Sequence, residues 1–281
     1  MIEVTANSET RSVHASREER SMPSSKGTKI NHLLQQWPRG TVATTTWLES
    51  QGISSDLARW YARTGWLTRV GRGAYAQAGD PIDWTGGLSA LQSQLGMSVH
   101  AGAKSALELQ GRAHYVPLGS RKRVVLISDV PETLPTWFRK HPWEAQIEHH
   151  SLKLFEGTSP ESLRQIDCGG FKIAGSSPER AIMEEMSLVR TNDDIDHAIQ
   201  LLENLATLRP NIVQQLLEAC TSIKVKRLFL WSAERIGHAW FELLTPERVD
   251  LGAGKRQLYK EGIFDSKYQI TVPRQEELPD V

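Results

Sequence analysis

The chain has 281 residues, 39% hydrophobic and 23% charged, enough to bury one large core or two ordinary ones and unlike the composition of disordered or fibrous chains. Lys plus Arg and Asp plus Glu both total 33, so any nucleic-acid surface has to come from local segregation of charge. The two cysteines, Cys168 and Cys220, form no CxxC and have no histidine at metal spacing, which argues against a disulfide framework or a zinc site.

Residues 1–27 are rich in Ser, Arg, Glu and Thr with almost no apolar periodicity, which predicts a mobile tail. Order is expected from Thr28, because Ile30, Leu33, Leu34 and Trp37 form a helical stripe that Pro38-Arg39-Gly40 ends. A second short helix is predicted in "TTTWLESQG", capped by Thr44 or Thr45, with Trp47 and Leu48 inward and Gly52 left-handed after it. Ser54, Ser55 and Asp56 then signal the start of a third helix over 55–64. "GWLTRVGRGAYA", residues 65–76, reads as strand, turn, strand, with Gly71 supplying the positive φ of the turn. Together these predict a winged helix-turn-helix over 28–80.

Beyond residue 80, "IDWTGGLSALQSQLG" and "HAGAKSALELQG" read as helices, and "RKRVVLISDV" and "QIEHHSLKLF" as strands. Ser177 and Pro178 open a further helix, three more are spaced between Asp193 and Gly237, and Tyr268, Ile270 and Val272 alternate as in a strand. The fold class expected is α+β, with a larger mixed domain over 81–281. No run approaches the roughly 18 uninterrupted apolar residues of a membrane helix, so a cytoplasmic protein without membrane contact is expected.

In the third helix Leu57, Trp60, Tyr61 and Thr64 are spaced to face inward, leaving Ser55, Arg59 and Arg63 along the opposite side. Residues 52–76 carry four arginines, Arg59, Arg63, Arg69 and Arg72, against a single acid, Asp56. A guanidinium fork suits both phosphate oxygens and the acceptor edge of guanine, and a protruding helix is what reaches that edge. Ser54, Ser55, Arg59, Arg63, Arg69 and Arg72 are therefore candidate contacts to double-stranded DNA, which would place the protein at the nucleoid. The alternative is a winged helix that grips a protein partner through the same surface.

Enzymatic signals are thin. "LGAGKRQ" offers Gly252, Gly254 and Lys255, but Arg256 stands where a phosphate-binding loop needs Ser or Thr. His149 and His150 are adjacent on a strand and point to opposite faces, while His100 and His114 read as packing or hydrogen-bonding residues. Cys168 lacks a motif that identifies a base. Asp129 with Glu132 is the nearest approach to a metal-dependent nuclease, and no E-x-K completes it. No catalytic residue, metal or cofactor is expected.

In matching order, "GWLTRVGRGAYA", "VHAGAKSALELQGRAHYV", "GSSPERAIMEEM" and "RVDLGAGKRQLYKEGIFDSKYQITVP" resemble the AbiEi family, antitoxins of type IV toxin-antitoxin systems from bacterial abortive-infection loci. The similarity runs from about residue 28 to 273. It implies a winged helix that represses the operon's own promoter, a C-terminal domain that neutralises a nucleotidyltransferase-like toxin, and a role in phage defence. The basic run Lys255, Arg256, Lys260 and Lys267 is a candidate contact for the toxin or for nucleic acid, or else a solvated face. A pseudo-palindromic operator would call for two copies of the chain.

Overall fold

A computed structural model describes residues 24–113, 122–157 and 160–274. Two units divide the chain, Met1–Gln36 and Trp37–Val281. Within the described part of the first lies one helix, α1, Ser24–Gln36. It begins before Thr28, inside the segment read as tail, and ends before Trp37. Residues 1–23, and His114, lie outside the described residues.

The second unit opens with strand β1, Ala43–Thr44, and helices α2, Thr45–Ser50, and α3, Ser55–Arg63. Thr44 caps α2 by accepting from Trp47 N, and Gly52 is left-handed at φ 75°. Leu48 is buried and Trp47 half-buried. The wing follows as β2, Leu67–Gly71, and β3, Ala74–Gln77, and the three strands form an antiparallel sheet in the order β1-β3-β2.

The rest of the unit builds a five-stranded mixed sheet and a helical layer. Helix α4, Trp84–Ser93, precedes β4, His100–Ala101, and α5, Ala103–Leu109. Then come β5, Lys122–Ser128, α6, Thr136–Lys140, β6, Ala145–Ser151, β7, Leu163–Asp167, and β8, Lys172–Ser176. Strand order is β6-β5-β4-β8-β7, with β5/β6 and β4/β8 parallel and the other pairs antiparallel. Helices α7, Pro178–Leu188, α8, Asn192–Glu203, α9, Pro210–Ala219, and α10, Ile223–Ile236, are followed by a hairpin of β9, Ile263–Asp265, and β10, Ile270–Val272. Ser177 caps α7 with Pro178 in its first turn, as its sequence predicts. Tyr268 is buried but precedes the final strand, because Gln269 takes φ 53° and breaks the alternation.

Two large apolar cores stand out among the described residues, beside a small cluster of Ala103, Val125 and Ile127. One gathers α7 to α10 with Tyr259, Tyr268, Ile270 and Val272. The other joins Val42 and Ala74 of the winged helix to Leu88 of α4, Val124 and Leu126 of β5, and Trp137 and Phe138 of α6. Helix α4 links the winged helix to the large sheet with two glutamines. The Gln94 amide accepts from Thr44 N (2.8 Å) and donates to Val42 O (2.8 Å), completing the free edge of β1. Gln92 does the same for the sheet, donating to Val99 O (2.8 Å) and Ala174 O (3.1 Å) and accepting from Ala174 N (2.8 Å). A backbone edge that would otherwise lack partners is satisfied in both places.

Candidate nucleic-acid interface

Helix α3 starts where the Ser54 hydroxyl accepts from Leu57 N (3.3 Å). Ser54 is thus occupied as a cap, and its exposed neighbour Ser55 begins the outer face. Ala58 and Tyr61 bury the inner face, while Leu57 and Trp60 are half-buried. Thr64, expected inward, is exposed at the helix end, where its hydroxyl donates to Trp60 O (3.0 Å). Burial pushes the Tyr61 phenol above its ordinary range. Arg59 and Arg63 point to solvent, as the i, i+4 spacing requires.

The wing places its arginines differently from the expectation. Gly71 does not carry the positive φ of the turn: Arg72 and Gly73 form the two-residue loop, and Gly73 is the left-handed residue at φ 81°. Gly71 is needed for close packing instead, since a Cβ there would lie 2.7 Å from Trp137 Cβ. A bulge falls between Arg69 and Gly71. Arg72 sits exposed at the tip, while Arg69 lies on the strand with its Nε donating to Gly71 O (3.3 Å).

Between α3 and the wing lies an open concavity of about 600 Å³ lined by Asp56, Arg59, Ala62, Arg63, Arg69 and Tyr75. Three of the four arginines singled out in the sequence share this groove. Ser54, Ser55 and Arg72 do not line it. Arg59 is paired with Asp56 one turn away, both side chains largely exposed at 65% and 86%. A solvated pair of this kind is worth about 0–1 kcal/mol and gives way to a stronger anion. The side chains of Arg63 and Arg72 make no hydrogen bond or ion pair to another described residue. The groove therefore presents guanidinium groups from two elements over a tyrosine floor, an arrangement that can hold phosphate oxygens or reach base edges.

The C-terminal cations are spread rather than gathered. Lys255 Nζ lies 4.9 Å from the centroid of the Phe264 ring. Lys267 is ion-paired with Glu234 and lies over Tyr268. The Arg256 and Lys260 backbones are tied to Gln269 and to the Asn192 side chain, and both side chains are exposed. The "LGAGK" loop has the polarity opposite to a phosphate cradle. Its carbonyls point inward, where the buried Arg227 guanidinium donates to Leu251 O (2.8 Å), Gly252 O (3.1 Å) and Gly254 O (2.6 Å).

The nuclease candidates are committed elsewhere. Asp129 is ion-paired with Arg180, and Glu132 accepts from Ser98 N (2.9 Å) and Oγ (3.1 Å). His149 shares a hydrogen bond with Ser128 Oγ (2.8 Å), and His150 lies on the next residue of β6. Among the described residues no three His, Cys, Asp or Glu gather as metal ligands. Burial pushes both cysteine thiols up.

A buried polar hub escaped the sequence reading. Arg180 and Glu184 of α7, each 1% exposed, meet His100 of β4 and Ser176 of β8. The Glu184 carboxylate accepts from Arg180 Nε (2.6 Å), Ser176 Oγ (2.7 Å) and Ala103 N (2.9 Å), with His100 Nε2 at 3.3 Å. Burial alone would raise its pKa, but Arg180 and His100 hold it at about 2. Glu185 accepts from Lys104 N (3.0 Å), so two carboxylates of α7 cap α5, whose N-cap residue Gly102 has no side chain to do so. A Cβ at Gly102 would stand 2.6 Å from Ile127 and 3.0 Å from Glu184. The Arg180–Glu184 spacing was visible in "SPERAIMEEM"; the partner His100, 84 residues away, was not.

A helix-turn-helix with a two-stranded wing, packed on a larger mixed α and β region, makes this an α+β protein of the winged-helix class. Residues 26–118 match the family described as a transcriptional regulator, AbiEi antitoxin N-terminal domain, and residues 121–273 the one described as a transcriptional regulator, AbiEi antitoxin, of type IV toxin-antitoxin systems. The chain belongs to the AbiEi antitoxin family of transcriptional regulators. The solved structure titled "RV2827C protein" from Mycobacterium tuberculosis shares its fold at a TM-score of 0.57 and 15% identity, over 90% of this chain and 92% of that one. No curated protein matches the chain. No helix among the described residues is long and apolar enough to cross a membrane.

Proposed function

We propose that this protein is a promoter-binding autorepressor and antitoxin. In this role residues 28–80 grip double-stranded DNA through α3 and the wing, and residues 81–281 neutralise a nucleotidyltransferase-like toxin. The chain carries out no reaction of its own and acts at the nucleoid, with two copies on a palindromic operator. The observation that carries the DNA assignment is the single groove lined by Arg59, Arg63 and Arg69 from two elements. Arg72 at the wing tip is assigned to the phosphate backbone, and Ser54 and Ser55 to the start of the helix that approaches the duplex. The test is a titration of the DNA upstream of the gene at several salt concentrations. Each phosphate contact contributes a slope of about −0.9 in log K against log salt, so affinity should fall steeply. A salt-insensitive affinity would favour a protein partner instead.

For the second activity the exposed side chains of Lys255, Arg256 and Lys260 are the assigned contact to an acidic toxin face, with Lys267 already engaged by Glu234. Reversing these three charges to Glu is expected to weaken toxin neutralisation before promoter repression. A paired growth and reporter assay in which repression fails first would contradict the assignment.

A further inference from the structure

We infer that helix α6 is the platform that fixes the wing opposite α3, making Gly71 and Trp137 positioning residues for duplex recognition. This inference rests on the promoter-binding role proposed above. A two-stranded ribbon is marginal by itself in water, and the neighbouring β1 contributes only two residues to its sheet. Something must hold Arg69 and Arg72 at a fixed distance from Arg59 and Arg63. The backbone contact at Gly71 meets that need, because a Cβ there would lie 2.7 Å from Trp137 Cβ and 3.0 Å from Trp137 Cα. Val70, the residue at the bulge, packs against the same core that holds Trp137.

The platform is itself rigidly seated. Trp137 and Phe138 are buried, Phe138 and Trp143 have ring centroids 5.2 Å apart, and Trp143 Nε1 donates to Phe138 O (2.8 Å). Arg139 closes the start of the helix by donating from Nε to Leu134 O (2.9 Å). Helix α6 lies in residues 121–273, the part of the chain matched by the second family model, so the region assigned to the toxin also sets the wing. Arg69 lies two residues before the contact and Arg72 one after, which leaves little slack between platform and guanidinium.

The experiment uses the full-length chain and the duplex upstream of its gene. Gly71→Ala forces the wing off α6, because the atoms it meets include backbone that cannot rotate away. Operator affinity should fall about tenfold, and the salt slope should become shallower by one to two phosphate contacts. Adding Arg69→Ala and Arg72→Ala to Gly71→Ala should cost little more, while adding Arg63→Ala should cost its full separate amount. Trp143→Phe, a milder change that removes the Nε1 hydrogen bond to Phe138 O by which α6 is seated, should move affinity and slope in the same direction and carries the cycle if Gly71→Ala does not fold. An unchanged slope, or full additivity with the two wing arginines, would overturn the platform while Arg63→Ala still weakened binding. If Arg63→Ala also left binding untouched, the DNA assignment itself would be the one to go.

Discussion

Replacing Arg59 and Arg63 together with alanine is expected to abolish operator binding while leaving the fold intact. A guanidinium that contacts a base edge or a phosphate is worth about 1–3 kcal/mol, so losing two from one helix face should weaken binding on the order of a hundredfold to a thousandfold. The structure gives a reason for the intact fold. Both side chains are exposed, α3 is held by Ala58 and Tyr61 on its other face, and its cap, Ser54, is untouched. Arg59 gives up only a solvated pair with Asp56. Surface changes of this kind usually alter stability by no more than about 0.5 kcal/mol. A gel-shift titration with thermal melting of the same sample checks both halves. Unchanged affinity in a folded double variant would remove the groove from consideration, and loss of the melting transition would mean that α3 depends on these arginines in a way its packing does not show.

The two arginines could be found in the sequence because everything that orients them is local. A hydroxyl cap, an acid in the first turn and a four-residue spacing are enough to place Arg59 and Arg63 on the outer side of a helix. The wing shows where such locality ends. Two glycines flank Arg72, and nothing within the hairpin says which must be left-handed. The choice is made by Trp137, more than sixty residues later, which occupies the space a side chain at position 71 would need. Strands β7 and β8 escaped for a related reason. "LRQID" and "KIAGS" are short and weakly patterned, and they become strands because β8 pairs with β4 on one side and β7 on the other. Cys168, considered as a nucleophile, lies in the turn between them. The boundary expected at residue 80 followed a change in texture along the chain. In the fold, the core beneath the wing continues through α4 into β5 and α6, and the two family matches divide near 118–121.

Glu184→Gln is expected to destabilise the protein by up to about 3–5 kcal/mol without touching the groove between α3 and the wing. Removing the Glu184 charge leaves the buried Arg180, 1% exposed, with only the partly exposed carboxylate of Asp129 to offset its own. The amide keeps the volume but cannot accept all the donors that the carboxylate gathers from Arg180, Ser176 and Ala103. The acid limb of stability supplies an independent check. Glu184 and Glu179 are both held at about 2 against an ordinary 4.5, despite burial that by itself acts in the opposite sense. Hydrogen bonds from Arg209 are the main cause for Glu179. A carboxylate depressed in this way contributes its stability in full above about 4.5 and loses it as pH falls through about 2. Glu185, raised by burial, works in the other direction and costs stability at neutral pH. Wild-type melting temperature should therefore drop most steeply between about pH 4.5 and 2, and Glu184→Gln should start lower at pH 7 and descend less steeply. Replacing Arg180 and Glu184 together by apolar residues of similar size should recover part of the loss, since the cost of a broken buried pair lies in the charge left behind. If Glu184→Gln melts with the wild type at pH 7, the contacts joining α7 to β4 and α5 are not what holds the larger mixed region together.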